Sequence, residues 1–249
     1  MRRRATVWIG LALAGCAPAG MDPRVEEDDF LDQSGWATFS VVELKIESTL
    51  RNLSYYEAIA DPSFRLGYLN VPVGDPVGLI THFDNVFYYV QEGEASLAVD
   101  AETVSLASGT MVFVRGGTEH RIYDVVDELD VITVFPRGLS LPEDPELVAV
   151  DADSLRAARR PEQNTWAILF ESSTAGVGVY SLPKGGGGDE GLTHAFPEFK
   201  IVMSGGGRFD VGNGGVEAQS GSIAYIEAGT PHQIRRVSED MDILFIWKK

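Results

Sequence analysis

Hydrophobic residues fall in short runs rich in β-branched and aromatic side chains, separated by Gly, Asp and Ser. Phe87 to Val90, Ser96 to Val99, Thr110 to Val114 and Val131 to Phe135 read as strands. A second set of the same kind follows at Phe199 to Met203, Arg208 to Val211, Ser222 to Ile226 and Ile243 to Trp247. Between two of these, Asn213-Gly214 marks a two-residue hairpin, since both central residues of a type I′ turn need positive φ. Asp151 to Arg160 fits a short helix capped by Asp151 or Asp153 and stopped at Pro161, which puts a domain boundary near residue 140. Short antiparallel strands of this number predict an all-β barrel or sandwich.

The two strand sets are copies. The chain has four histidines, and their spacing repeats: 120 − 82 = 38 and 232 − 194 = 38, with both pairs offset by 112. Sliding residues 80 to 135 onto 192 to 247 without a gap superposes Phe87 on Phe199, Gly93 on Gly205, Gly109 on Gly221 and Gly117 on Gly229. Glycines recurring in register indicate shared turns.

The N-terminus reads differently. Arg2, Arg3 and Arg4 precede an apolar run, Ala5 to Ala14, that is too short to span a bilayer and has the layout of an export signal. Its end, Leu13-Ala14-Gly15-Cys16, resembles the lipobox of bacterial lipoproteins. That resemblance implies cleavage after residue 15, lipidation of Cys16 and a protein held at the cell envelope, facing the periplasm or the exterior. The alternative is a start at Met21 and no signal. Residues 16–35, with Glu26-Glu27-Asp28-Asp29, read as a solvated acidic tether. Residues 36–140 and 141–249 are then the two repeats. Cys16 is the only cysteine, so no disulfide within the chain is possible.

Composition narrows the partners. With 20 Lys plus Arg against 37 Asp plus Glu, the net charge is −17, and a nucleic acid would meet repulsion. The glycine runs at 185–188 and 205–207 lack the Lys-Ser/Thr of a phosphate loop, and no Gly-x-Ser-x-Gly is present for a serine hydrolase.

The second repeat reads Gly186, five residues, Leu192, one residue, His194, three residues, Glu198, six residues, Gly205. It continues with Gly221, five residues, Glu227-Ala228-Gly229, two residues, His232. The first keeps the frame as Gly74, Ile80, His82, Val86, Gly93, then Gly109, Arg115, Gly117, His120 and Asp124. These two spaced motifs resemble those of the cupin superfamily, and their occurrence twice implies a bicupin: two tandem double-sheet, jelly-roll-like barrels over roughly residues 50 to 249.

The resemblance implies a metal site. His194, Glu198 and His232 match cupin ligand positions, and Leu192 stands where a fourth ligand would be. Strand parity puts His194 and Glu198 on one face, with His232 arriving from another strand. Two imidazoles and a carboxylate suit Fe(II) or Mn, with Zn or Ni as alternatives. Glu190, inward by the same parity, is a candidate substitute ligand or general base, or else a solvated loop carboxylate. In the first repeat Ile80 and Val86 are apolar, so a metal at His82 and His120 would need Asp84 as third ligand. Otherwise the two histidines are structural or line a degenerate pocket. Lys200 and Arg236 share the parity of Glu198 and His232 and are candidates to meet a substrate carboxylate, or else snorkel to water. The odd face of the same strand, Phe199, Ile201 and Met203, is also apolar. It is expected to pack on a second sheet or on a partner subunit, which would make a homodimer.

Two functions follow from this reading. One is a metal-dependent enzyme of dioxygenase, decarboxylase, lyase or isomerase type acting on a small organic acid or enol. The other is a non-catalytic envelope lipoprotein that binds a metal or small ligand.

Overall fold

A computed structural model describes residues 35–51, 54–74, 77–138, 140–151, 163–187 and 191–249. The export signal, Cys16, Glu190 and most of the segment expected to be helical, 152–160, lie outside the described residues. Asp151, one of its two candidate caps, ends a strand.

The elements run β1 (Trp36–Ser40), α1 (Val41–Arg51), β2 (Tyr55–Ala60), β3 (Phe64–Val71), β4 (Val86–Val99), β5 (Glu102–Ala107), β6 (Thr110–Val114) and β7 (His120–Pro136). Then follow β8 (Leu147–Asp151), β9 (Thr165–Glu171), β10 (Ala175–Leu182), β11 (Glu198–Val211), β12 (Gly214–Gln219), β13 (Ser222–Ile226) and β14 (His232–Lys248). The 112-residue offset holds without error from β4 to β7 against β11 to β14, as in 198 − 86 and 232 − 120.

These strands form two seven-stranded antiparallel sheets of one design. The first runs β2-β3-β7-β4-β6-β8 with β5 on β4, and the second runs β9-β10-β14-β11-β13-β1 with β12 on β11. Neither path closes on itself; each ends at edge strands. Ser96 to Val99 is not a separate strand from Phe87 to Val90: both belong to β4, which bends where its register shifts between Val90 and Ser96. Gly93 sits in that bend at φ 97°, and a Cβ there would collide with the backbone of Glu128. Gly205 repeats this in β11 against Asp240.

The hairpin at 213–214 lies one residue earlier than expected. Val211 pairs with Gly214, so Gly212 and Asn213 form the turn and Gly212 takes the positive φ. Gly214 instead opens β12, where Trp36 leaves no room for a side chain.

The sheets do not respect a boundary at residue 140. β1 pairs with β13 (Trp36 opposite Ile226) in the second repeat's sheet, and β8 pairs with β6 (Leu147 opposite Val114) in the first. Each repeat lends its first strand to the other, which covers the backbone of β13 and β6 where they would otherwise be open edges.

Burial follows the two-residue period. In β4, Val86, Tyr88 and Val90 enter the interior of the first repeat, while Phe87 and Tyr89 enter an apolar layer shared by both sheets. Phe199, Ile201 and Met203 of β11 meet them in that layer, so their face is covered by the other repeat of the same chain. Phe64 and Phe199 pack edge to face there at 5.2 Å. Helix α1 was not foreseen, although Ser40 and Glu43 form a capping box: Glu43 N–H donates to Ser40 Oγ (3.2 Å) and Ser40 N–H to Glu43 Oε2 (2.8 Å).

Candidate metal centre

The even face of β11 turns Glu198 and Lys200 into the second repeat. His232 begins β14, where Leu192 holds it through an isolated bridge, His232 N–H to Leu192 O at 2.9 Å. His194 lies in the segment before β11, fixed by Gly229 N–H on its carbonyl (2.7 Å) and by its ring stacking on Phe196 at 4.9 Å. The ligand atoms of His194, Glu198 and His232 all lie within 4.8 Å of one another.

The hydrogen bonds define which lone pairs are free. His232 Nδ1 faces the Thr230 carbonyl at 3.0 Å, an acceptor only, so the neutral ring carries its proton there and turns the Nε2 lone pair inward. That Nε2 stands 2.8 Å from Glu198 Oε1 and His194 Nε2 stands 3.8 Å from the same oxygen. Glu198 Oε1 and His232 Nε2 are buried at the centre of the group, and with a neutral His232 they set two acceptors face to face, which a cation between or beside them relieves. A divalent metal held by two imidazoles and a carboxylate therefore fits the residues present.

Lys200 is the other charge. Its Nζ lies 3.1 Å from Glu198 Oε1, and its side chain is 11% exposed. Burial alone would raise the Glu198 carboxyl, but the Lys200 ammonium beside it overrides this, and the group is held down at about 2. Burial lowers His194, against the pull of Glu198, which keeps its imidazole neutral and available. About a quarter of the His194 side chain is exposed, so the centre opens to solvent on that side.

Arg236 does not join the group. It is exposed and adopts φ 51°, which shifts the alternation of β14 so that His232, Ile234 and Val237 are the buried positions. Asp124 does the same in β7.

The first repeat departs from the metal arrangement. Asp84 turns away from the histidines toward Arg65 (3.9 Å) and the Gly138 N–H (3.5 Å). The position between His82 and His120 is taken by Tyr88, which the sequence reading missed. Its hydroxyl lies 3.0 Å from His82 Nε2 and 2.7 Å from His120 Nε2. His120 Nδ1 donates to the Thr118 carbonyl (3.0 Å), so Tyr88 O–H donates to His120 Nε2 and accepts from His82 Nε2–H. The signal was available, because Tyr88 is the counterpart of Lys200 at the offset of 112 (200 − 88).

A seven-stranded antiparallel sheet, duplicated in one chain, with two histidines and a glutamate brought together in the second copy, defines the class. The cupin domain model matches twice, over residues 67–135 and 178–247, and the chain belongs to the cupin family. Among solved structures it is similar to a salicylate 1,2-dioxygenase mutant from Pseudoaminobacter salicylatoxidans in complex with gentisate. The TM-score is 0.73 at 10% identity, covering 87% of this chain and 82% of that one. It is also similar to the protein Ylba from E. coli (TM-score 0.66, 13% identity, 88% and 92% covered). A cupin 2 conserved barrel domain protein from Leptotrichia buccalis aligns with TM-score 0.64 at 14% identity, covering 78% and 88%. An uncharacterised protein of Streptomyces coelicolor is 26% identical over 97 residues, 39% of this chain and 92% of its own length.

Proposed function

We propose that the second repeat is a metal-dependent enzyme centre acting on a small organic acid or enol, with Fe or Mn as the metal. The observation that carries this reading is the convergence of the ligand atoms of His194, Glu198 and His232 within 4.8 Å of one another, with Glu198 Oε1 and His232 Nε2 buried. His194, Glu198 and His232 would hold the ion, and Leu192 supplies no fourth donor, which leaves coordination positions for solvent, O2 or a chelating substrate. When bound, the ion supplies Lewis acidity or, as Fe, a site for O2. The chain's own contributions are orientation and charge: the Thr230 carbonyl fixes the His232 tautomer and Lys200 places a cation beside the carboxylate. The neighbouring dioxygenase, whose complex contains gentisate, supports hydroxylated aromatic acids as the first substrates to screen. Cys16 is proposed to anchor the protein to the envelope membrane.

The test is metal content after purification without chelator, followed by O2 uptake with hydroxybenzoates. About one Fe or Mn per chain, lost in His232→Ala, is the expected result. Absence of metal after reconstitution with Fe, Mn, Zn and Ni would reject it.

A further inference from the structure

The Lys200 side chain, 11% exposed, lies on the inner face of β11 with its ammonium directed at the same Glu198 oxygen that faces His194 and His232. Among the described residues no other carboxylate comes within ion-pair distance of it. An ammonium carries three donors, so this buried group has donor capacity aimed into the centre. The frame of the duplication supplies a comparison: its counterpart Tyr88 uses its hydroxyl fully between His82 and His120.

Charge arithmetic then constrains what the centre can hold. Glu198 and Lys200 cancel, and imidazoles that ligate a metal are neutral. A divalent cation taken up by His194, Glu198 and His232 leaves an excess of two positive charges beside a carboxylate and an ammonium that are both largely buried. The metal and the ammonium would also compete for one carboxylate oxygen. Neutral water cancels none of this charge, whereas a small dicarboxylate dianion answers both problems: one carboxylate joins the metal and the other meets Lys200. We infer that the second repeat takes up its metal and a small dicarboxylate dianion as a coupled pair, with Lys200 as the residue that couples them. This rests on the metal reading of the same centre and adds the ligand class and the order of dependence. Because coupling between two binding sites is reciprocal, the factor by which the anion tightens the metal is the factor by which the metal tightens the anion.

The experiment uses the intact protein, Mn2+ and malonate, with free Mn2+ read from its electron paramagnetic resonance signal and corrected for Mn-malonate in solution. Malonate is expected to tighten Mn2+ binding by about tenfold, within the range usual for coupled sites. Lys200→Met should bind Mn2+ alone more tightly than the unaltered protein and respond to malonate by less than about twofold, whereas Lys200→Arg should keep the coupling. Calorimetric titration of malonate with and without Mn2+ measures the same factor in the unaltered protein and decides the question if Lys200→Met does not fold. Mn2+ affinity that ignores malonate, or coupling undiminished in a folded Lys200→Met, would overturn the inference while leaving the metal centre standing. Failure of the unaltered protein to bind Mn2+ or any other of the metals above would instead reject the metal centre, and the coupling with it.

Discussion

The hydrogen-bond chain in the first repeat makes the protein sensitive to acid in a calculable way. His82 and His120 are both held neutral, chiefly by burial, and His82 is lowered from 6.5 to about 3. An added proton on either ring also brings a donor into a chain whose acceptors are already used, from His82 through Tyr88 to His120 and the Thr118 carbonyl. The unfolded chain therefore takes up the proton first as pH falls through 6.5, and the folded chain follows only near 3. The contribution of His82 to stability is complete above pH 6.5 and declines as pH falls, levelling off near 3. By pH 5 the decline is only partly complete, and linkage gives a loss of about 2 kcal/mol relative to pH 8. His82→Gln keeps an N–H for Tyr88 but has no proton to gain. Urea unfolding at pH 8 and pH 5 should show the unaltered protein losing about 2 kcal/mol more than this variant over the same interval. Equal losses in the two proteins would refute the reasoning, because every other titrating group is common to both.

Two further outcomes are expected. Gly93→Ala must place a methyl against the Glu128 backbone at φ 97°, so β4 cannot bend unstrained; a loss of about 2 kcal/mol or more is expected in denaturant unfolding. In membrane fractions, mass spectrometry should find an N-terminal peptide starting at a lipid-modified Cys16; an intact Met1 or an unmodified Cys16 would remove the anchor.

Much of the inner architecture was legible because a gapless duplication transmits register. The offset of 112 by itself aligns β4 to β7 with β11 to β14 and pairs the histidines. Parity then sent Glu198 and Lys200 to one face and Phe199, Ile201 and Met203 to the other, as the structure has them. Parity failed at Arg236, because one left-handed residue resets the alternation and nothing in the side chain of Arg announces it. The exchange of β1 and β8 was hidden for a different reason: a five-residue strand carries no mark of which sheet it will join, and only the bare edges of β13 and β6 decide that. Helix α1 is short and follows directly on a strand, so its signal was the Ser40 to Glu43 cap and not its periodicity. Tyr88 was missed because a tyrosine in an apolar strand reads as core until its register with Lys200 is used.

The strand exchange also bears on the metal centre, since it makes the second repeat's site depend on residues at the start of the first. β1 ends the edge at β13, and just before it the Gly35 carbonyl accepts from Glu227 N–H (2.9 Å) and from Thr230 Oγ1 (3.2 Å). The Thr230 carbonyl in turn orients His232 through Nδ1. A chain beginning at residue 41 would lose both the cover on β13 and this tie on the loop that carries His232, while keeping all three candidate ligands. Outright loss of a partner that orients a ligating histidine weakens metal affinity by roughly 10- to 100-fold; here the Thr230 carbonyl stays and only its anchor goes, so that range is the upper bound. Mn2+ titration should therefore show weaker binding by the chain beginning at residue 41 than by the chain beginning at residue 35, by about threefold to tenfold at matched far-UV circular dichroism. Equal affinities would mean that the second repeat builds its centre alone and that the exchanged strand serves only to protect an edge.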